Sequence, residues 1–374
     1  MATYDFAVIG AGVSGASVAY ELQNEASVVL IEAEAQPGYH STGRSAALYT
    51  PNFGPSVVRR LNAAGRRFFE EPPEGFAETP LLSPRGALTI FKTDDEAPIA
   101  ALLANGTARD PIHRISVAEA LRLAPVLRPE AVGAACFEPG VTDMDVAAIH
   151  QGFLRGFRQR GGTLRRAQPV TALVRVDGEW RLTAGDEEIR AATVVNAAGA
   201  WGDVLGRMAG ARPVGLVPKR RTALVTEGPD GLDLHAMPLV EFAGDAPYLK
   251  PDGGRLMASL ADETPVEPQD AQPDDMDIAV LVDWLESHTH VTVRKAPRTW
   301  AGLRSFVADK NPVVGFDPEQ PGLFWLVGQG GYGIMMSPTL ARIAAALATG
   351  RRLPADIAAA GIDPADLAPD RCRA

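Results

Sequence analysis

Two cysteines in 374 residues, Cys136 and Cys372, are too few for a disulfide framework and form no C-x-x-C pair, which excludes a stapled fold and a thiolate zinc site. Histidine is nearly as scarce. The nearest pair, His288 and His290, stand two apart, a spacing that on a helix turns the rings away from each other instead of toward one ion. Positive charge is not in excess either: a net charge of −10 and a pI near 5.2 argue against nucleic acid or an anionic membrane as partner. No apolar run approaches the ~20 residues that span a bilayer. The first one, Phe6-Ala7-Val8, follows Met1-Ala2-Thr3 with no basic region and no small-residue cleavage site, so the expected location is the cytoplasm, without integral membrane association.

What is present is the composition of an ordinary globular protein, 46% hydrophobic and 22% charged, on a chain long enough for two packed domains. Tyr4-Asp5-Phe6-Ala7-Val8-Ile9 reads as a buried strand closed by Gly10; Val13 to Asn24 reads as a helix, and Ser27 to Glu32 as a second buried strand. This is a βαβ unit with a right-handed crossover. Its turn is Gly10-Ala11-Gly12-Val13-Ser14-Gly15, a G-x-G-x-x-G at the strand-to-helix junction. Gly10 permits the tight turn, Gly12 lets backbone N–H groups approach a pyrophosphate, and Gly15 lets helix and strand pack closely. The helix N-terminus adds a partial positive charge. Glu32 ends the second strand where an acid accepts ribose hydroxyls, with Ala33 beside it, and no basic residue follows immediately to favour a 2′-phosphate. Ser14 is not a nucleophile elbow, because Ala16 breaks G-x-S-x-G.

Further strands are expected at Ala87 to Phe91, within Thr163 to Val170, and at Leu173 to Val176, Trp180 to Thr183, Thr193 to Asn196, Tyr248 to Lys250, Arg255 to Ser259, Val291 to Val293 and Phe324 to Val327. Helices are expected at about Ala147 to Arg160, Asp277 to Glu286 and Pro338 to Ala348, with a surface loop over Glu263 to Asp277. The fold class is α/β: a doubly wound dinucleotide domain interleaved with a smaller mixed-sheet domain. Residues 1–84, 142–210 and 301–366 are assigned to the first, 85–141 and 211–300 to the second, and 367–374 to a tail. The fingerprint serves NAD and FAD alike, so other segments must decide. Three do: the small-residue loop Ala35 to Ala47, the run Thr193-Val194-Val195-Asn196-Ala197-Ala198-Gly199-Ala200-Trp201, and Gly328-Gln329-Gly330-Gly331-Tyr332-Gly333, which opens the last helix.

Together these segments resemble the D-amino-acid oxidase family of flavoproteins, and more closely its D-arginine dehydrogenase branch. The resemblance covers nearly the whole chain and includes Gln36 to Ala47, Pro218-Lys219-Arg220-Arg221, Tyr248-Leu249-Lys250-Pro251-Asp252, Thr299 to Phe306 and Gln329 to Ile334. It implies bound FAD and a hydride passing from the substrate Cα to flavin N5, giving an imino acid that hydrolyses to keto acid and ammonia. The implied cofactor contacts are Gly10, Gly12, Val13, Ser14, Gly15, Glu32 and Ala33; Ser41, Thr42, Arg44, Ser45, Ala46 and Ala47; Val170, Ala197, Gly199 and Trp201; and Gly302, Gly330, Gly331, Tyr332, Gly333 and Ile334. No Cys precedes the last helix, so the FAD is expected to be non-covalent. Arg304, Tyr248 and Arg221 are the implied clamp for the substrate carboxylate, an Arg fork being suited to bidentate binding, with the Gly331 carbonyl holding the amine.

The chain departs from the D-arginine branch at Leu48, Phe53 and Ala87, apolar where that branch carries polar, hydroxylated or acidic groups. Weak use of D-arginine and D-lysine is therefore expected, with a preference for neutral or hydrophobic substrates. Tyr49 and Met335 either line the same pocket or pack in the core. Oxygen or a quinone-type carrier is the expected electron acceptor. Other readings are oxidation of a secondary amine such as sarcosine or proline, or of a 2-hydroxy acid; a non-catalytic flavin-binding or partner-binding subunit; and an NAD-dependent dehydrogenase.

Overall fold

The structure, a computed structural model, describes residues 2–244 and 247–373. β1 (Ala2–Ile9) enters the interior at Phe6, turns at Gly10 into α1 (Val13–Leu22), and β2 (Val28–Ile31) follows. The two strands are parallel, with Phe6 opposite Val28 and Ile9 opposite Ile31, as a βαβ unit requires. A Cβ on Gly15 would lie 1.8 Å from the Gly10 carbonyl oxygen, so helix and turn meet backbone to backbone.

Next come α2 (Ser56–Glu70), β3 (Ala87–Phe91), β4 (Ala134–Glu138) and α3 (Val146–Gln159). β5 (Thr163–Arg165), β6 (Val170–Val176), β7 (Glu179–Ala184) and β8 (Glu187–Asn196) follow. The chain then makes β9 (Val217–Thr226), β10 (Leu239–Phe242), β11 (Tyr248–Asp252), β12 (Arg255–Ser259), α4 (Asp275–His288) and β13 (Arg298–Phe306). It closes with β14 (Val313–Phe316), β15 (Leu323–Val327) and α5 (Gly333–Ala348).

The first sheet runs β6-β7-β8-β1-β2-β5, and β15 joins the C-terminal half of β8 in parallel. Val8, Leu30, Val195 and Phe324 pack under α1, α3 and α5 with Phe153, Phe157 and Ile343. Ala7, Val29, Val194 and Trp325 fill the opposite face with Trp180 and Leu182. Burial on both faces is why β1, β2 and β15 read as unbroken apolar runs. The second sheet runs β9-β12-β11-β10-β3-β4, with β13 on the other side of β9. Leu88, Ile90, Leu224, Val240 and Leu249 bury one of its faces against Leu281 and Leu285 of α4. The alternate residues of the same strands, Ala87, Arg221 and Tyr248 among them, face the other way.

The chain is thus a mixed α/β protein with the expected sheets, and local departures have local causes. Val291 to Val293 form no strand; the Val291 N–H donates to the Thr289 hydroxyl and the Val293 N–H to the Glu286 carboxylate, and the only ladder contact near this stretch is one bridge, Leu127 to Thr289, among the described residues. Its β-branched residues are anchored by burying Val291, not by a ladder. The last helix does not begin at Pro338 but at Gly333, and Pro338 lies inside it. The Ile334 carbonyl, which Pro338 cannot serve, accepts the Ser337 hydroxyl at 2.8 Å instead. The loop over Glu263 to Asp277 contains a two-residue strand, Thr264–Pro265, on the edge of β9. The expected tail is docked: the Leu367 carbonyl accepts the Val314 N–H, and Arg373 pairs with Asp317 in the interior.

Candidate active site

The glycine turn, the loop after β2 and the segment before α5 meet around one cavity of about 490 Å³. Gly10, Gly12, Val13, Ser14, Glu32 and Ala33 line it, with Ser41, Thr42, Arg44, Ser45 and Ala46 from the loop. Val170, Ala197, Gly199, Trp201, Gly302, Gly330, Gly331, Gly333 and Ile334 complete that wall. Three residues expected here stand behind it. Gly15 lies under the turn, the Ala47 carbonyl is held by the Met144 N–H at 3.2 Å, and Tyr332 is buried against Phe306 and Phe53.

The turn is held by side chains from three elements. Glu32 accepts the N–H groups of Ala11 and Glu34 at 2.8 and 2.9 Å. Thr42 Oγ1 accepts the Val13 N–H at 3.0 Å, and His150 Nε2 donates to the Ala11 carbonyl at 2.8 Å. Burial holds the His150 imidazole below its ordinary pKa, which keeps it neutral and its Nε2 proton on that carbonyl. Arg44 differs from expectation: its guanidinium donates to the carbonyls of Ala271 and Ala301 and pairs with Asp270, so it ties the loop to the segment before α4 instead of standing free for an anion.

This groove suits FAD. A Cβ on Gly10 would come within 2.5 Å of the Ala197 carbonyl, and one on Gly331 within 3.0 Å of the Arg304 guanidinium, so backbone alone forms the walls there. Gln329 Nε2, buried at the same wall, has no hydrogen-bond acceptor among the described residues, and a bound FAD would offer one. Neither cysteine lines the cavity.

Arg221 of β9, Tyr248 of β11 and Arg304 of β13 converge at one part of the lining. Antiparallel register places Arg304 opposite Lys219 and Arg221 opposite Gly302, on a single face. The side chains of Arg304 and Tyr248 make no hydrogen bond or ion pair with any described residue. The nearest acid to Arg221 is Glu263, at 3.5 Å, and Glu263 is engaged more closely by Lys219 at 2.6 Å. Burial, then the Arg304 charge, holds Arg221 below the usual guanidinium range. Two guanidiniums and a phenol at one place have the chemistry to receive a carboxylate.

The five expected pocket residues separate. Leu48 and Ala87 join Tyr248 in a small apolar cluster with Val141 and Leu239, beside the cavity. Tyr49 is core: it is 1% exposed and its hydroxyl donates to the Asn62 carbonyl. Met335 is likewise buried in α5, and Phe53 is half exposed with its ring on Tyr332. None of the five is part of the lining, and Leu48 and Ala87 come nearest through their contact with Tyr248.

Two acids escaped the sequence reading. Glu138 lies opposite Ala87 across β3 and β4, and Glu241 lies opposite Tyr248 across β10 and β11. Burial pushes the Glu138 carboxyl up to about 7, the Asn52 hydrogen bond opposing and the Glu241 charge adding. Glu241 is also raised by burial, against a bond from the Thr89 hydroxyl. A glutamate in the middle of an apolar four-residue strand was the signal available.

Comparison with known proteins follows the same lines. The FAD dependent oxidoreductase family matches residues 5–347. Human mitochondrial sarcosine dehydrogenase is 28% identical over 241 residues, 60% of this chain and 26% of that protein, so the chain spans about a quarter of its length. Glycine oxidase of Geobacillus kaustophilus is 23% identical over 377 residues, 95% of each chain. Its crystal structure superposes with a TM-score of 0.79 at 22% identity, covering 94% of this chain and 96% of that one. L-amino acid deaminase from Proteus vulgaris gives 0.80 at 16% identity, covering 99% and 97%. These two structures share the fold.

Proposed function

We propose that this chain, which belongs to the family of FAD dependent oxidoreductases, is an amino-acid oxidoreductase that uses FAD to oxidise the Cα–N bond of D-amino acids to the imino acid, which water converts to keto acid and ammonia. FAD, when bound, accepts the hydride from Cα. The observation that carries this reading is the unpaired Arg304 guanidinium beside Tyr248 and Gly331 at the end of a cofactor-shaped groove.

Arg304 forks the substrate carboxylate, Tyr248 donates to it, and Arg221 adds charge from the neighbouring strand. Two guanidiniums nearby also weaken the hold of the substrate amine on its proton, which favours the neutral amine needed for hydride loss. The Gly331 carbonyl is the acceptor for that amine. Leu48, Ala87 and Leu239 present hydrocarbon next to this clamp, which supports neutral or hydrophobic groups close to Cα. The D configuration is supported by the family resemblance alone, carried by segments such as Gln36 to Ala47 and Thr299 to Phe306. The similarity to sarcosine dehydrogenase and glycine oxidase favours a second reading, a small secondary or primary amine on the same carboxylate clamp.

Arg304→Leu tests the clamp. Losing one partner of a desolvated charge pair lowers kcat/KM about 100-fold or more, while FAD content stays at that of the parent protein. An unchanged kcat/KM would remove Arg304 from the site.

A further inference from the structure

The acidic, proline-rich strap between β12 and α4 is fastened at its two ends by the sheet and by the helix it enters. Asp262 accepts the Thr222 N–H at 2.6 Å, Thr264 and Pro265 pair with Arg220 and Lys219, and the Val266 N–H donates to the Pro218 carbonyl at 3.0 Å. At the far end Asp274 caps α4. Between these anchorages Pro268 and Pro273 have no N–H to donate. Among the described residues, Glu267 to Pro273 are hydrogen-bonded to the rest of the molecule by two side chains only, Arg44 and Tyr39. Both belong to the loop from Gln36 to Ala47 that follows β2 and lines the cofactor groove.

Arg44 spends its guanidinium on this seam. One terminal nitrogen donates to the Ala271 carbonyl at 2.8 Å and to the Ala301 carbonyl at 3.0 Å, and the other pairs with the Asp270 carboxylate. The Tyr39 ring lies 5.0 Å from the guanidinium, and its hydroxyl reaches Asp270 at 3.4 Å. Ala271, buried beside Asp270, packs with Ala200, Trp201, Ala301 and Leu303. Ala200, Trp201 and Leu303 line the cavity, as do Tyr39 and Arg44. Closing the strap onto the loop therefore closes the wall that encloses the groove. The loop is also held to β13, by the Ser41 hydroxyl on the Leu303 carbonyl at 2.7 Å and by the Trp300 indole on the Arg44 carbonyl at 3.1 Å. Those bonds are enclosed, whereas the ion pair is open on one side: the Arg44 side chain is 14% exposed and that of Asp270 45%. Water and salt reach the seam at Asp270.

We propose that Asp270 is a positioning residue for the cofactor: it fixes Arg44, Arg44 fixes the loop over bound FAD, and FAD enters and leaves the groove when this pair opens. The inference rests on FAD as the occupant of that groove and needs nothing from the substrate clamp. Asp270 never touches the cofactor, since neither it nor any other residue of the strap lines the cavity. It acts from outside, and Arg44 transmits its effect because the same guanidinium grips the strap at Ala271 and β13 at Ala301.

The test is the rate of FAD release from the loaded protein, followed as free-flavin fluorescence after dilution. Asp270→Asn releases FAD about threefold to fivefold faster than the parent protein. Arg44→Met, which frees two carbonyls as well, releases it about 30-fold faster. Glu267→Gln takes the same charge from an exposed, unpaired position on the same strap and leaves the rate unchanged. Adding Asp270→Asn to Arg44→Met changes nothing further, because Asp270 acts through Arg44. Raising the salt concentration speeds release from the parent protein more than from Asp270→Asn, a difference that a purely structural role does not produce. An unchanged rate in Asp270→Asn overturns the proposal. So does a slower one, which would mean that Asp270 competes with the cofactor for Arg44. An equal acceleration by Glu267→Gln would reduce the effect to net charge and also overturn it, as would additive effects of the two substitutions. If Arg44→Met does not fold, the Asp270→Asn and Glu267→Gln comparison and its salt dependence decide alone. A parent protein that takes up no FAD sinks the cofactor reading and this proposal with it.

Discussion

At position 15 a single methyl group decides whether the nucleotide turn can form. A Cβ there would sit 1.8 Å from the Gly10 carbonyl oxygen, and that atom belongs to backbone that cannot swing aside. Gly15→Ala is expected to destabilise the fold by about 2 kcal/mol or more and to abolish the flavin absorbance of the purified protein, both read from melting curves and the visible spectrum. Glu138 gives a prediction of a different kind. Its folded pKa, about 7, lies above the ordinary 4.5, so the folded state prefers the protonated acid. Stability is therefore lost as pH rises from 4.5 to about 7 and is flat beyond. Glu138→Gln removes that loss: a gain of the order of 2 kcal/mol at pH 8 and none at pH 4, measured by urea unfolding. An equal gain at both pH values would show that charge is not the cause. The contrast between these residues also marks what a sequence can reveal. Gly15 and Glu32 are legible because their partners, the Gly10 carbonyl and the Ala11 N–H, lie within one βαβ unit. Glu138 and Glu241 are brought to the strands beside Tyr248 through pairing between β3, β4, β10 and β11, partners as far as 152 residues apart along the chain.

Among elements, the legible ones were those whose burial is uniform or whose caps are local. β1, β2 and β15 are apolar on both faces and announce themselves, and α3 starts on Asp145, whose side chain accepts the Ala148 N–H. α5 was read too short because proline normally opens a helix, and the serine that replaces the missing bond acts from inside the turn. Val291 to Val293 had strand composition but no partner strand, a tertiary matter. The docked C-terminus was illegible for the same reason, since a short polar segment gives no pattern. Its anchor is Arg373 on Asp317, both nearly inaccessible, with Asp317 also accepting from Trp325 Nε1 at 2.8 Å. Arg373→Ala leaves that carboxylate without its cation and is expected to cost about 3 kcal/mol, seen as a lower Tm. A Tm equal to that of the parent protein would show the tail to be dispensable to the fold.

At the scale of the molecule, the site exists because two sheets each keep one function-bearing edge or face. The first contributes the carboxyl ends of β1, β2 and β8 with their turns; the second contributes the face opposite its own core. Arg44 links the two by binding Asp270, Ala271 and Ala301, so the loop that covers the groove is tied to the sheet that holds the clamp. In the proposed function neither half carries the chemistry alone: one would hold the cofactor, and the other would orient an amino acid by its carboxylate. The most direct measurement is anaerobic mixing of the FAD-loaded protein with D- and L-amino acids, sarcosine and 2-hydroxy acids, following the visible flavin band. Bleaching by D-amino acids, and far weaker bleaching by their L-enantiomers and by 2-hydroxy acids, is the expected result. A flavin band that no amino acid bleaches, or one bleached equally by both enantiomers, would contradict it.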